Sequence, residues 1–346
     1  MRHRAVSRAL AGWTDEHLIG ALASSTHADS GIGGSTARLE VDGVPVFVKL
    51  VALTHLENRP DNIRCTGNLF HLPAWYQFGV GSAGFGAWRE FLAHEWASAQ
   101  VLDGTCARFP LLHHCRILPV PLATTTPVAD AIEKSVRFWD NSPAVRRRLR
   151  ALAQAPATLV LALEFLPHTL HEWLGAQLAG PDDHAAVACA TVETQLLDAV
   201  HCLREQGMSH FDAHFQNVLT DGSNLVVSDF GLATSRHFDL NPAELRFFDH
   251  TAHHDLAYVL THLANTIVSC RAIAQGPVAR NAYLRRCAET GATPGLPAAL
   301  ADIVRRHAPV AAVMNEFYFR LHGGNPTTPY PAEEVDRALA IGGHLA

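Results

Sequence analysis

His210, Asp212, His214 and Asn217 stand at the spacing H-x-D-x-H-x-x-N, and Asp229-Phe230-Gly231 begins twelve residues after the asparagine. Two carboxylates and one amide at these separations are what phosphoryl transfer from a nucleotide needs. One carboxylate orients and deprotonates an accepting hydroxyl, while the amide and the second carboxylate hold Mg²⁺ against the phosphates. The intervening residues account for the spacing. Val218-Leu219 and Leu225-Val226-Val227 read as short apolar strands, and Asp221-Gly222-Ser223-Asn224 reads as the turn between them. Such a hairpin brings Asn217 and Asp229 to one edge.

A second cluster lies near the start of the chain. Gly31, Gly33, Gly34 and Ser35 form a glycine-rich turn between two expected strands, followed by a hairpin whose turn is Asp42-Gly43. Glycine amides can approach phosphates closely because no side chain intervenes. Lys49 follows within Val44-Pro45-Val46-Phe47-Val48-Lys49-Leu50, one of only two lysines among 27 basic residues. An ammonium inside an apolar strand requires an anionic partner, since burying it bare is costly.

The remaining elements must position these groups. A helix is expected after Thr14 or Asp15, running through Leu18, Ile19 and Leu22, within an N-terminal extension over 1–28. Residues 51–86 carry no clear periodicity and read as an insertion or a recognition loop. A helix over about 87–102 carries Glu90 and Glu95, and Arg146 to Arg150 reads as a solvated helix face. Thr158 to Phe165 reads as a buried strand, ended by Leu166-Pro167. Helices are then expected over 170–178, 182–206, 255–268, 296–320 and 331–340. His250, His253, His254 and Asp255 read as residues packing at a helix entry rather than as a metal site.

With 346 residues, 48% of them apolar and 17% charged, the chain can bury a large core. Its net charge of −6 gives no argument for nucleic acid or an anionic membrane surface as partner. Seven scattered cysteines without a C-x-x-C suit reduced thiols. No signal peptide is recognised, because Asp15, Glu16 and His17 interrupt the N-terminal region before an apolar stretch forms, so the expected location is cytoplasmic.

In order along the chain, the glycine turn, strand lysine, helix glutamate, apolar strand, H-x-D-x-H-x-x-N and D-F-G make the sequence resemble the protein-kinase-like superfamily over roughly residues 29–320. The resemblance implies an α+β, two-lobed fold: a small β-rich N-lobe over 29–165 and a larger helical C-lobe over 166–346, with ATP between them. It implies that Lys49 contacts the α- and β-phosphates together with the glycine turn, and that Glu90, with Glu95 as the rival, is the lysine's partner. Glu164 and Leu166 fall where the adenine would be held. Asp212 matches the catalytic base, with His214 beside it. Asn217 and Asp229 match the Mg²⁺ ligands, and Asp255 matches the aspartate that steadies the catalytic loop.

Departures from the pattern set the alternatives. Phe211 occupies the position of an arginine that reads a phosphorylated activation segment, which argues against that mode of regulation. His214 replaces a lysine and is closer to aminoglycoside and other small-molecule phosphotransferases. Thr36 stands near the place of the third glycine, and Pro242-Ala243-Glu244 is a faint counterpart of A-P-E. The leading expectation is a Ser/Thr-type protein kinase using ATP and Mg²⁺. A small-molecule kinase is the alternative within the same chemistry, and a nucleotide-binding pseudokinase scaffold is the alternative outside it.

Overall fold

The computed structural model describes residues 2–31, 34–122, 129–271 and 273–345. The architecture is α+β and divides into two compact units, Met1–Phe165 with Asp229–Leu245, and Leu166–Ser228 with Arg246–Ala346. Among the described residues, no helix is long and apolar enough to cross a membrane.

The first unit is built on a five-stranded antiparallel sheet of β1 (Thr26–Gly31), β2 (Gly34–Val41), β3 (Val44–Leu53), β4 (Leu112–Leu118) and β5 (Ala157–Glu164), in the order β1-β2-β3-β5-β4. Asp42 and Gly43 both have positive φ, 49° and 74°, the geometry a two-residue turn needs to match the twist of β2 and β3. Side chains alternate across β3. Val46, Val48 and Leu50 pack on one face with Val6 and Leu10 of α1 (Arg2–Gly12) and Leu18 and Leu22 of α2 (Asp15–Ser24). The N-terminal region therefore contains two helices rather than the one expected, and both contribute to the sheet's core. Their entry is local chemistry: the Thr14 hydroxyl caps α2 by accepting from the His17 amide.

Val51, Leu53, Leu159, Leu161 and Leu163 form the opposite apolar face, packed with Ala87, Trp88 and Phe91 of α3 (Ala87–Leu102). Between β3 and α3 the chain runs as a strap with single 3₁₀ turns at Pro60–Asn62 and Ala74–Gln77. Two helices, α4 (Ala129–Phe138) and α5 (Pro143–Ala153), precede β5. The arginine run on α5 corrects one expectation. Arg148 is not solvated but buried, 2% exposed, against Glu57.

The second unit is mainly helical. It contains β6 (His168–Thr169), α6 (Leu170–Leu178), α7 (Asp182–Glu205), β7 (Met208–Ser209), β8 (Val218–Thr220) and β9 (Leu225–Val227). The short β10 (Thr234–Ser235) belongs to the first unit, and α8 (Pro242–His250) spans the division. The second unit continues with α9 (His254–Cys270), α10 (Gly276–Thr290), α11 (Ala298–His322) and α12 (Ala332–Ile341). Strands β8 and β9 form the expected hairpin, with Val218 opposite Val227 and β6 alongside β8. Apolar α9 is buried along most of its length.

Candidate functional site

In the first unit, Lys49 lies on the face of β3 that meets α3 and is 4% exposed. Its Nζ is 2.6 Å from Glu90 Oε1 and 2.6 Å from Asp229 Oδ1. The partner is thus Glu90. Glu95 is turned to Arg64 instead, in a half-exposed pair at 2.6 Å. Desolvation opposes the ammonium charge, but the two carboxylates override it and hold the Lys49 pKa well above its ordinary value. Asp229 is held well below the usual carboxylate range: desolvation works against ionisation, and Lys49 and the Gly231 amide outweigh it. Burial pushes Glu90 the other way, upwards, against the pull of Lys49 and with the repulsion of Asp229. Two carboxylates share one ammonium, so the cluster has a surplus of negative charge.

The backbone around Asp229 is shaped for this contact. Asp229 itself is left-handed, φ 63°, and its Oδ1 accepts from the Gly231 amide at 3.1 Å. Phe230 is fully buried, edge-on to His94 of α3 at 5.0 Å and to Phe109 at 5.9 Å. Gly34 has φ 126°, and a Cβ there would fall 2.2 Å from the Leu50 carbonyl oxygen, so only glycine fits opposite β3. Gly31 pairs with Gly34 in the strand register, and Ser35 is buried opposite Leu50. Gly33 lies outside the described residues. Glu164 ends β5, its amide donating to the Leu111 carbonyl at 2.8 Å.

The second unit holds Leu166, Asp212, His214 and Asn217. Leu166 is partly buried, just beyond β5. Phe211 has φ 64° and a fully buried side chain stacked on Phe247 at 5.7 Å. That kink is held by Asp255, near the start of α9. Its Oδ2 accepts from the His210 amide at 2.6 Å and its Oδ1 from the Phe211 amide at 2.8 Å. Asn217 Nδ2 donates to the Asp212 carbonyl at 3.0 Å and to its Oδ2 at 3.2 Å, and His214 Nε2 is 3.8 Å from Asp212 Oδ1. The His210 ring bridges further, Nε2 3.0 Å from the Ser228 carbonyl and Nδ1 accepting from the Asp212 amide at 3.2 Å. The hairpin also joins Asn217 to Ser228, whose amide donates to the Asn217 carbonyl at 2.8 Å. Asp229 is the next residue in the chain.

The histidines at the entry to α9 have separate partners: His250 meets the Tyr330 carbonyl, His253 meets Asp336, and His254 meets Tyr318 and Asp255. Among the described residues, no group of three or more His, Cys, Asp or Glu could hold a metal ion.

Several residues that shape the site are not evident from motif spacing: Glu57, Gln77 and Gly84 of the strap, and Arg148. One signal was present for Glu57. Thr54 and Glu57 have capping-box spacing, and the Thr54 amide indeed donates to Glu57 Oε2 while the Glu57 amide donates to Thr54 Oγ1. The sequence matches no protein-family model and no curated protein.

Proposed function

We propose that this chain is a phosphotransferase of the protein-kinase-like fold that uses ATP and Mg²⁺ to phosphorylate a hydroxyl, with protein Ser/Thr as the acceptor class favoured by the motif set. The Lys49 assembly carries the reading. A buried ammonium fixed at 2.6 Å by carboxylates from α3 and from the D-F-G is a preformed cation for nucleotide phosphates. The surplus carboxylate charge beside it suits a divalent cation.

The donor chemistry fits Mg²⁺. The Asp229 side chain is 41% exposed, and Asn217 retains its amide oxygen because its Nδ2 is engaged by Asp212. Both are hard oxygen donors, and phosphate and water oxygens would complete the coordination. When bound, the ion supplies charge neutralisation on the phosphates. The chain's own residues supply the rest. Lys49 holds the phosphates, and Asn217 orients the Asp212 carboxylate. Asp212 accepts the hydroxyl proton as the acceptor oxygen bonds to the γ-phosphorus and the bond to the β–γ bridging oxygen breaks, releasing ADP.

A small-molecule acceptor is the second reading, favoured by one observation. The segment after Gly231 is tied to the strap, with the Leu232 carbonyl accepting from Gln77 and Asp239 bonded to Thr66, and α8 begins at Pro242. Little of it is free to support a peptide.

The test is label transfer from γ-labelled ATP with Mg²⁺ to protein acceptors and to a panel of small alcohols and aminoglycosides. Asp212→Asn should lower kcat by about 10²- to 10⁴-fold while leaving nucleotide affinity unchanged. Label on protein would select the first reading and label on a small molecule the second. Nucleotide binding without any transfer would replace both with a scaffold.

A further inference from the structure

The Lys49 assembly joins pieces 180 residues apart in sequence, which touch directly where Phe230 meets His94 of α3. Helix α3 is preceded by Gly86, whose φ of 164° is extended and which offers no side-chain cap. The strap supplies one. Glu57, 1% exposed, accepts from the Ala87 amide through Oε1 at 2.9 Å, and its carbonyl accepts from Trp88 Nε1 at 2.9 Å. Its Oε2 is 2.8 Å from Arg148 Nη1. A carboxylate at a helix N-terminus satisfies an otherwise orphaned amide and complements the helix dipole. Glu90 follows one turn later.

The same strap grips the other piece. The Gln77 side-chain amide donates to the Leu232 carbonyl, three residues past Asp229. Gly84 has φ 68°, and a Cβ there would fall 2.4 Å from the Gly231 carbonyl oxygen, so the strap backbone lies directly on the D-F-G. Between these anchors Arg89, beside Glu90 and 3% exposed, donates to the Thr66 carbonyl at 2.6 Å and to Glu244 at 2.7 Å. Thr66 in turn donates to Asp239 at 2.9 Å.

We propose that Glu57 and Gln77 are positioning residues: through the strap they hold α3 and the Asp229 segment together so that Lys49 is fixed between its two carboxylates in the unmodified chain. No phosphorylation of the chain is then needed to assemble it, and Phe211, apolar and buried, provides no cation to read such a phosphate. The consequence for catalysis rests on the phosphotransferase reading; the consequence for Lys49 does not.

The chain's two lysines make a direct test. Lys49 is buried and doubly paired, and Lys134 is exposed. Acylation by an amine-reactive ester, read by peptide mass spectrometry with Lys134 as internal standard, reports how well Lys49 is held without any turnover. Gln77→Ala should raise the Lys49:Lys134 labelling ratio about fivefold, the factor corresponding to one lost hydrogen bond. Glu57→Asp, which withdraws the cap while keeping the charge for Arg148, should raise it similarly. In both variants kcat should fall with the labelling change, while KM for the acceptor stays fixed. An unchanged labelling ratio in both folded variants would overturn the proposal, as would wild-type transfer that appears only after the chain has been phosphorylated. A raised ratio in a protein with no transferase activity would uphold the strap and remove the phosphotransferase reading.

Discussion

The Lys49 assembly and the Asp212 loop are held by opposite means. In the first unit, charged side chains meet across long sequence separations, and three buried pairs, Lys49–Glu90, Arg89–Glu244 and Arg148–Glu57, bear on one helix. In the second unit, one carboxylate, Asp255, accepts from two successive backbone amides, and the loop is otherwise tied mainly by hydrogen bonds to backbone groups, within itself and to Ser228. The first arrangement fixes a charge to be neutralised. The second fixes a backbone kink at Phe211 and leaves Asp212 partly exposed. A buried pair is costly to break because the surviving partner is stranded, whereas a backbone clamp loses one hydrogen bond at a time. The two regions should therefore fail differently.

The largest effect is expected at Arg148. Arg148→Met leaves Glu57 charged, buried and without its cation, which should destabilise the first unit by about 3–5 kcal/mol. Burial opposes the Glu57 charge, while Arg148 first, then Thr54 and Ala87, hold its pKa below the ordinary value, so the loss should be greatest at neutral pH and smaller in acid. The double variant Glu57→Gln/Arg148→Met removes the stranded charge and should recover part of it. Denaturant unfolding of the three proteins measures this. Equal destabilisation in the single and double variants would mean that packing on Phe70, which lies 4.9 Å under the guanidinium, outweighs the charge.

The second effect belongs to the loop. Asp255→Asn keeps one carbonyl oxygen for the His210 or Phe211 amide and strands the other. The expected cost is about 1–3 kcal/mol, with a fall in kcat because Phe211 is no longer held at positive φ. Hydrogen exchange at the His210 and Phe211 amides is the direct readout. Unaltered protection would show the kink to be held by Phe211 stacking instead.

The same contrast decides what could be read from sequence. The hairpin, the H-x-D-x-H-x-x-N loop and the helix spans 87–102 and 182–206 are governed by neighbours in the chain, and the structure has elements at Ala87–Leu102 and Asp182–Glu205. Lys49 announced its need for a partner because an apolar strand surrounds it. The first unit's cross-links were less legible, since Glu57 and Arg148 gain meaning only once the fold joins them. Even so, Ala144, Val145, Arg148 and Leu149 form one helical stripe, and that periodicity assigns Arg148 to the buried face against its composition. Helices α1, α4, α8 and α10 were not expected. Helix α10 has only Leu284 and Cys287 buried, too few for an apolar period to stand out.

The smallest effect lies beside the loop. His262 of α9 sits edge-on to Tyr258 at 4.6 Å and near Phe215 at 5.7 Å and His214 at 6.4 Å. Desolvation, then the charges of His214, Arg280 and His171, lower its pKa from 6.5 to about 3. The folded state thus binds fewer protons than the unfolded state between those values. Its contribution is present in full above pH 6.5 and is lost as the pH falls towards 3. His262→Phe keeps the ring contacts and removes the titration, so Tm should decline less steeply between pH 6.5 and 4 than in the wild type. Asp212→Asn should leave that slope nearly intact, because His214, and not Asp212, leads the charges acting on His262. A slope unchanged in His262→Phe would place the acid sensitivity elsewhere and leave the loop's backbone clamp as the element that pH acts on.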